Sequence, residues 1–290
     1  MRFRLSRFSL RTLLLIIIAA VCIAAGGTYS FADDSENTAQ TQSSEPGDEV
    51  SKKGIQIVDG NYPLLVDIQD IGVSYGFLNF FYNELVSTEP TEYFYDYKGK
   101  TYYYAADKVE LYDNTINTLT NAGISIVAAV VNGYNKDFPQ LRYPGVDFND
   151  GTQYYAFNAV TEEGVNLIEA CTYFLAERYN GGDKGKVVDW VIGNEVNDNL
   201  QYNYLKPCEG SSYVAEYYKQ FKMFYNIIKE INPQAEIYIP LEHRWQTANT
   251  MTDYGARWFL EEFNRNEKKD QQMDWGVAWH PYPYPLGDPD

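Results

Sequence analysis

Five apolar runs of strand length, Val73 to Phe80, Ile124 to Val131, Val187 to Ile192, Ile237 to Leu241 and Trp275 to Trp279, alternate with segments whose apolar residues recur at the helical period. This alternation constrains the fold more than any other feature. Strands joined through helices pair in parallel, with right-handed crossovers. Runs with few polar interruptions fit strands covered on both faces.

The intervening segments carry their own start and stop signals. Asp107 with Glu110 three residues on predicts a capping box, followed by Val109, Tyr112, Ile116 and Leu119 on one face and a stop at Gly123. A second helix is expected from Thr161 through Val165, Ile168, Cys171 and Leu175 to Asn180-Gly181-Gly182. A third begins at Ser211/Ser212, carries Val214, Tyr217, Phe221, Phe224, Ile228 and Ile231, and halts at Pro233. A shorter fourth runs from about Asp253 to Phe263.

A doubly wound sheet and a barrel both satisfy this pattern. The positions of the polar residues favour the barrel. Asn79, Asn132, Asn194-Glu195, Glu242-His243 and His280 to Tyr282 fall at or after successive strands, and a ring of such groups at the C-terminal strand ends is the barrel arrangement. No glycine-rich phosphate loop follows a strand, which disfavours a nucleotide-binding fold. The expected class is α/β, a (β/α)8 TIM barrel truncated after about the sixth strand.

Within that frame Glu195 is the leading chemical candidate. It follows the strand Val187 to Ile192, where a carboxyl leaves the dry barrel wall and can pass a proton to a leaving oxygen. Hydrolysis of a glycosidic bond needs such an acid and a second carboxylate to attack or to activate water. Asn194 beside it can hydrogen-bond a sugar hydroxyl. Glu242 and His243 are adjacent, so strand alternation would send at most one of them to the site. Metal hydrolysis is disfavoured: the two histidines, His243 and His280, make neither His-x-His nor His-Glu-x-x-His. A serine hydrolase is not expected, and no cofactor is implied.

The segment Gly193-Asn194-Glu195-Val196-Asn197 resembles the fourth-strand motif of the clan-A retaining glycoside hydrolases, which are eight-stranded barrels. The resemblance implies Glu195 as acid/base and Asn194 as ligand of the sugar 2-hydroxyl. Trp279-His280-Pro281-Tyr282 is similar to the clan's sixth-strand end, which implies that His280 and Tyr282 line the sugar site, with Trp279 or Trp245 stacking on a sugar face. The span from about Val73 to Tyr284 also resembles a family of large bacterial secreted barrels without assigned activity. In the clan the nucleophile is a Glu ending strand seven, so it is expected beyond Asp290. Glu242, ending strand five, is expected in the substrate site rather than as nucleophile. The implied function is a secreted glycosidase acting on a polysaccharide or oligosaccharide with retention. The competing expectation is a non-catalytic carbohydrate-binding or cell-surface protein on a degenerate barrel.

The N-terminus bears on location. Arg2, Arg4, Arg7 and Arg11 precede the apolar run Leu13 to Ala25, and Ser30-Phe31-Ala32 supplies a small-x-small site. Residues 1–32 therefore read as a signal peptide; an uncleaved N-terminal anchor is the alternative. Residues 33–54 form an acidic low-complexity linker, and 55–290 the partial barrel domain. Removing four arginines from 23 basic residues leaves 19 against 40 acidic, a charge of -21. Such a field repels nucleic acid and anionic membrane, so a carbohydrate partner fits better. Cys171 and Cys208 follow the leader, and export permits either a disulfide or free thiols.

Overall fold

The computed structural model describes residues 51–58 and 65–282. The signal peptide and nearly all of the linker expected above lie outside the described residues. In chain order the elements are β1 (Gly54–Gln56), α1 (Leu65–Asp70), β2 (Tyr75–Phe81), α2 (Tyr82–Leu85), β3 (Val86–Ser87), β4 (Phe94–Tyr97), β5 (Lys100–Tyr104), α3 (Ala106–Asn121) and β6 (Ser125–Val131). There follow α4 (Glu162–Arg178), β7 (Val187–Ile192), α5 (Gly210–Ile231), β8 (Glu236–Leu241), α6 (Ala256–Glu267) and β9 (Gly276–Trp279).

Six strands form one parallel sheet in the order β1-β2-β6-β7-β8-β9. The order never reverses. With right-handed crossovers throughout, a monotonic order places the helices on one face, whereas a doubly wound sheet reverses and covers both. The sheet is thus a six-stranded arc of a (β/α)8 barrel. All five expected strands are present, each within two residues of its expected limits.

Side-chain alternation divides the interior in two. On the helix side, Leu78, Phe80, Ile126, Ala128, Val130, Trp190, Ile192, Ile237, Ile239 and Leu241 join the large core with the buried faces of α3 to α6. On the concave side, the smaller cluster Val127, Ala129, Val191, Tyr238 and Ala278 packs with Tyr75 and Phe77. Pro240 interrupts this regular scheme. It cannot donate to a ladder, and the β7 pairing has ended at Val191↔Tyr238 by that point. β7 therefore parts from β8 just before the candidate site.

The helix boundaries correct two expected caps. Helix α3 starts at Ala106 after Ala105, with no side-chain cap, so the Asp107/Glu110 capping box does not form. Asp107 lies inside the first turn rather than before it. At α5 the cap is Glu209, not Ser211 or Ser212: its carboxylate accepts from both serine amides at 3.1 Å. Thr161 caps α4 as expected, accepting from the Gly164 amide. Cys171 is a buried free thiol on α4, and Cys208 is free and half-buried.

A three-stranded antiparallel sheet, β3-β5-β4, was not foreseen. Lys98 (φ 48°) and Gly99 (φ 79°) form its two-residue hairpin turn between Tyr97 and Lys100. Tyr95 and Tyr97 donate to Glu177 (2.8 Å) and Glu169 (2.9 Å) of α4, fastening the sheet outside the barrel. Lys-Gly between two tyrosine-rich alternating runs was the signal that could have revealed it.

Two expectations follow. Thr161→Ala should lower stability by about 1 kcal/mol, the usual value of an N-cap hydroxyl, read by urea unfolding. The Ser211 and Ser212 hydrogen bonds hold the Glu209 carboxyl below its ordinary range. Its capping contribution is therefore complete above the unfolded carboxylate value and is lost as pH falls through the lower folded value. The melting-temperature gap between wild type and Glu209→Ala should be widest at neutral pH and close only in strong acid.

Candidate active site

The site forms where β7 leaves the sheet. Gly193 has φ +97°, and a Cβ there would lie 2.6 Å from Val196 Cγ1, so glycine is required twice over. Its amide donates to the Val130 carbonyl, and the Val196 amide takes the Pro240 carbonyl at 3.0 Å. Between these anchors Glu195 adopts φ +43°, a left-handed conformation that costs a non-glycine residue about 1–2 kcal/mol. Strain of this kind persists where the surroundings over-determine it.

Glu195 is buried, with 5% exposure. Its Oε1 accepts the Tyr282 hydroxyl at 2.6 Å and lies 2.8 Å from His280 Nδ1. Both partners follow β9, two strands away, a separation of roughly 10 Å in a flat sheet. The strand ends converge here. His280 shares the concave parity of Ala278, and its amide donates to the Leu241 carbonyl. Burial and the Glu195 charge push the Tyr282 hydroxyl well above the usual phenol range, so it remains a donor. Among the described residues the other carboxylate oxygen, Oε2, makes no hydrogen bond. With Oε1 occupied twice, Oε2 is the oxygen of this carboxylate left for a further partner among the described residues.

Asn194 is half-buried beside it, and its side chain is without a hydrogen bond among the described residues. Tyr202 stands close: burial first, then the Glu195 charge, push its hydroxyl up to about 12. From Tyr202 the rings of Tyr154 and Phe81 follow at centroid spacings of 6.4 Å each. Sequence reasoning passed over Tyr202 and Tyr154, which sit on loops with no periodicity to mark them.

Glu242 is 3% exposed and its carboxylate is fully engaged. Oε1 accepts from Arg244 Nε (2.7 Å) and Asn197 Nδ2 (3.0 Å), and Oε2 lies 2.9 Å from His243 Nδ1. Asn197, quoted in the sequence motif without a role, is the hub. Its Oδ1 accepts the Glu242 amide, and its Nδ2 also reaches the Tyr254 carbonyl at 2.9 Å. Arg244 extends the network to Asp253 at 3.1 Å. Of Glu242 and His243, it is the His243 ring that comes near a partner of Glu195. Both lie beyond Leu241, where β8 ends and alternation with it, and the His243 ring is 5.9 Å from that of Tyr282.

Other candidates lie elsewhere. Trp279, one residue from His280, has the opposite parity; it is 42% exposed and 6.1 Å from Trp245. Asn79 sits within β2, paired with Ala129. Asn132 is buried and donates to the Leu141 carbonyl, holding the loop after β6. Gly72-Val73-Ser74-Tyr75-Gly76 has the Gly-x-Ser-x-Gly spacing of a serine hydrolase. It leads into β2 instead of running from a strand to a helix, so it is not a nucleophile elbow. Among the described residues no group of three or more His, Cys, Asp or Glu could hold a metal, and no helix is long and apolar enough to cross a membrane.

A family model described as "Family of unknown function (DUF5722)" matches residues 45–290. No curated protein matches the chain. Similar solved structures include the GH53 catalytic domain of Ignisphaera aggregans, at 13% identity and TM-score 0.44, covering 74% of this chain and 51% of that one. The Family 1 β-glucosidase from Thermotoga maritima in complex with isofagomine lactam has 13% identity, TM-score 0.45, and coverages of 74% and 52%. The hyperthermophilic β-glucosidase from Pyrococcus furiosus has 13% identity, TM-score 0.45, and coverages of 75% and 53%. The chain thus spans about half the length of these structures.

Removing the hub should be costly. Asn197→Ala takes away three buried hydrogen bonds, each worth about 1 kcal/mol, and leaves the Glu242 carboxylate under-satisfied. A loss of about 2–4 kcal/mol in chemical denaturation is expected.

Proposed function

We propose that this chain, which belongs to the family of unknown function DUF5722, is a glycosidase that cleaves O-glycosidic bonds of a polysaccharide or oligosaccharide, with Glu195 as its general acid/base. The observation that carries the reading is the asymmetric hold on the Glu195 carboxyl. His280 and Tyr282 occupy Oε1, which leaves Oε2 to protonate the glycosidic oxygen and later to deprotonate water. Asn194, unengaged beside it, takes the sugar 2-hydroxyl, and His280 and Tyr282 wall the subsite. Tyr282 donates in both halves of the cycle, supporting Glu195 when it is ionised.

The reaction retains configuration in this reading, which calls for a second carboxylate as nucleophile. Glu242 does not take that role: Asn197, Arg244 and His243 already engage it, and it acts as a latch beneath the site. The acidic charge and the basic, apolar N-terminus support a location outside the cell, where polysaccharides are met. No cofactor enters the reaction.

Glu195→Gln preserves shape but cannot deliver a proton. Hydrolysis of an unactivated glycoside should fall by about 10²–10⁴-fold, the share general acid catalysis contributes. The first step on an aryl glycoside with a good leaving group should be largely spared. With Glu195→Ala, azide should restore turnover of that aryl glycoside by attacking the glycosyl-enzyme. Equal loss on both substrates without azide rescue would make Glu195 a binding or structural residue.

A further inference from the structure

Two tyrosines of α5 reach the backbone on either side of the Glu195 turn. The Tyr217 hydroxyl donates to the Ile192 carbonyl at 2.7 Å, and the Tyr213 hydroxyl to the Val196 carbonyl at 2.7 Å. Four residues apart, they lie one above the other on the same helix face. Tyr213 also accepts from Asn203 Nδ2 at 2.8 Å, and of the two carbonyls within reach of its hydroxyl that of Val196 is nearer than that of Asn203 at 3.3 Å. Both are buried, at 0% and 1% exposure. Between the two carbonyls lie only Gly193, Asn194 and Glu195, the stretch that holds two positive-φ residues.

From this geometry we infer that Tyr213 and Tyr217 are positioning residues. They clamp Ile192 and Val196 so that the intervening turn cannot relax from its left-handed conformation, and thereby set the aim of the Glu195 carboxyl. The inference rests on the acid/base reading for its catalytic consequence, though not for the clamp itself. A phenylalanine at either position would fill the core equally well, so the hydroxyls serve something other than packing. Relaxation of Glu195 towards negative φ would swing its side chain away from His280 and Tyr282 and release Oε1. Burial pushes both hydroxyls well above the usual phenol range, so the clamp stays protonated wherever the protein is folded.

The test compares Tyr213→Phe and Tyr217→Phe with Tyr218→Phe in the full chain. Tyr218 is a buried neighbour on α5 whose hydroxyl contacts Asp270 and Gln271 instead. Hydrogen–deuterium exchange of peptides covering residues 190–198 should accelerate about tenfold in the first two, the change one such hydrogen bond supports. The rest of the chain should match wild type in these two, and Tyr218→Phe should leave exchange at 190–198 unchanged. Turnover of an unactivated glycoside should fall about tenfold in kcat with KM nearly unchanged, while the first step on a 2,4-dinitrophenyl glycoside, read as its burst rate, is largely spared. Unchanged exchange at 190–198, or an equal rise throughout the chain, would overturn the inference. If Glu195→Gln leaves hydrolysis intact, the acid/base reading falls, and the exchange result alone then decides whether the clamp exists.

Discussion

Every crossover among the six parallel strands advances in one direction around the sheet, and the rest of the molecule depends on that. Right-handed connections that never reverse keep the helices on one face. The opposite face carries the smaller cluster of Val127, Ala129, Val191, Tyr238 and Ala278. The C-terminal strand ends curl towards each other around this space. Glu195, His280 and Tyr282 reach one another because the loops after β7 and β9 open at the same rim.

At that rim the backbone is held more tightly than a loop normally is. The Glu195 turn is tied to β6 through Val130, to β8 through Pro240, and to α5 through Tyr213 and Tyr217. The proline contributes by what it lacks. With no amide to offer, it ends the β7–β8 ladder, and its carbonyl becomes an anchor for Val196. The left-handed Glu195 is stable because these ties outnumber its alternatives.

The two buried carboxylates show how environment assigns different work to the same group. Glu242 has both oxygens engaged, one by Arg244 and Asn197 and the other by His243. Glu195 has one oxygen held by Tyr282 and His280 and the other without a hydrogen bond among the described residues. The abundance of tyrosine has a similar double meaning. Tyr282 and Tyr202 face the site, whereas Tyr82, Tyr213 and Tyr217 bury their rings and spend their hydroxyls on Thr172 and backbone carbonyls.

The sequence by itself determined the layered α/β architecture, because uninterrupted apolar runs and helical periodicity each allow one way of being buried. It also singled out Glu195 and Asn194, which stand together after a strand in a recognisable motif, and placed the start of α4 at Thr161. It did not reveal Glu209 as the α5 cap, since glutamate is not a usual N-cap residue, nor β3 to β5, whose tyrosine alternation resembles many surface patterns. Only the tertiary structure decided that His280 and Tyr282 share one oxygen of Glu195, that Asn197 holds Glu242 in place, and that Tyr213 and Tyr217 grip the turn. Those partners are separated by 17 to 87 residues in the chain. Contacts over such distances depend on which strand ends converge and which helix lies behind them, and local patterning carries no record of either.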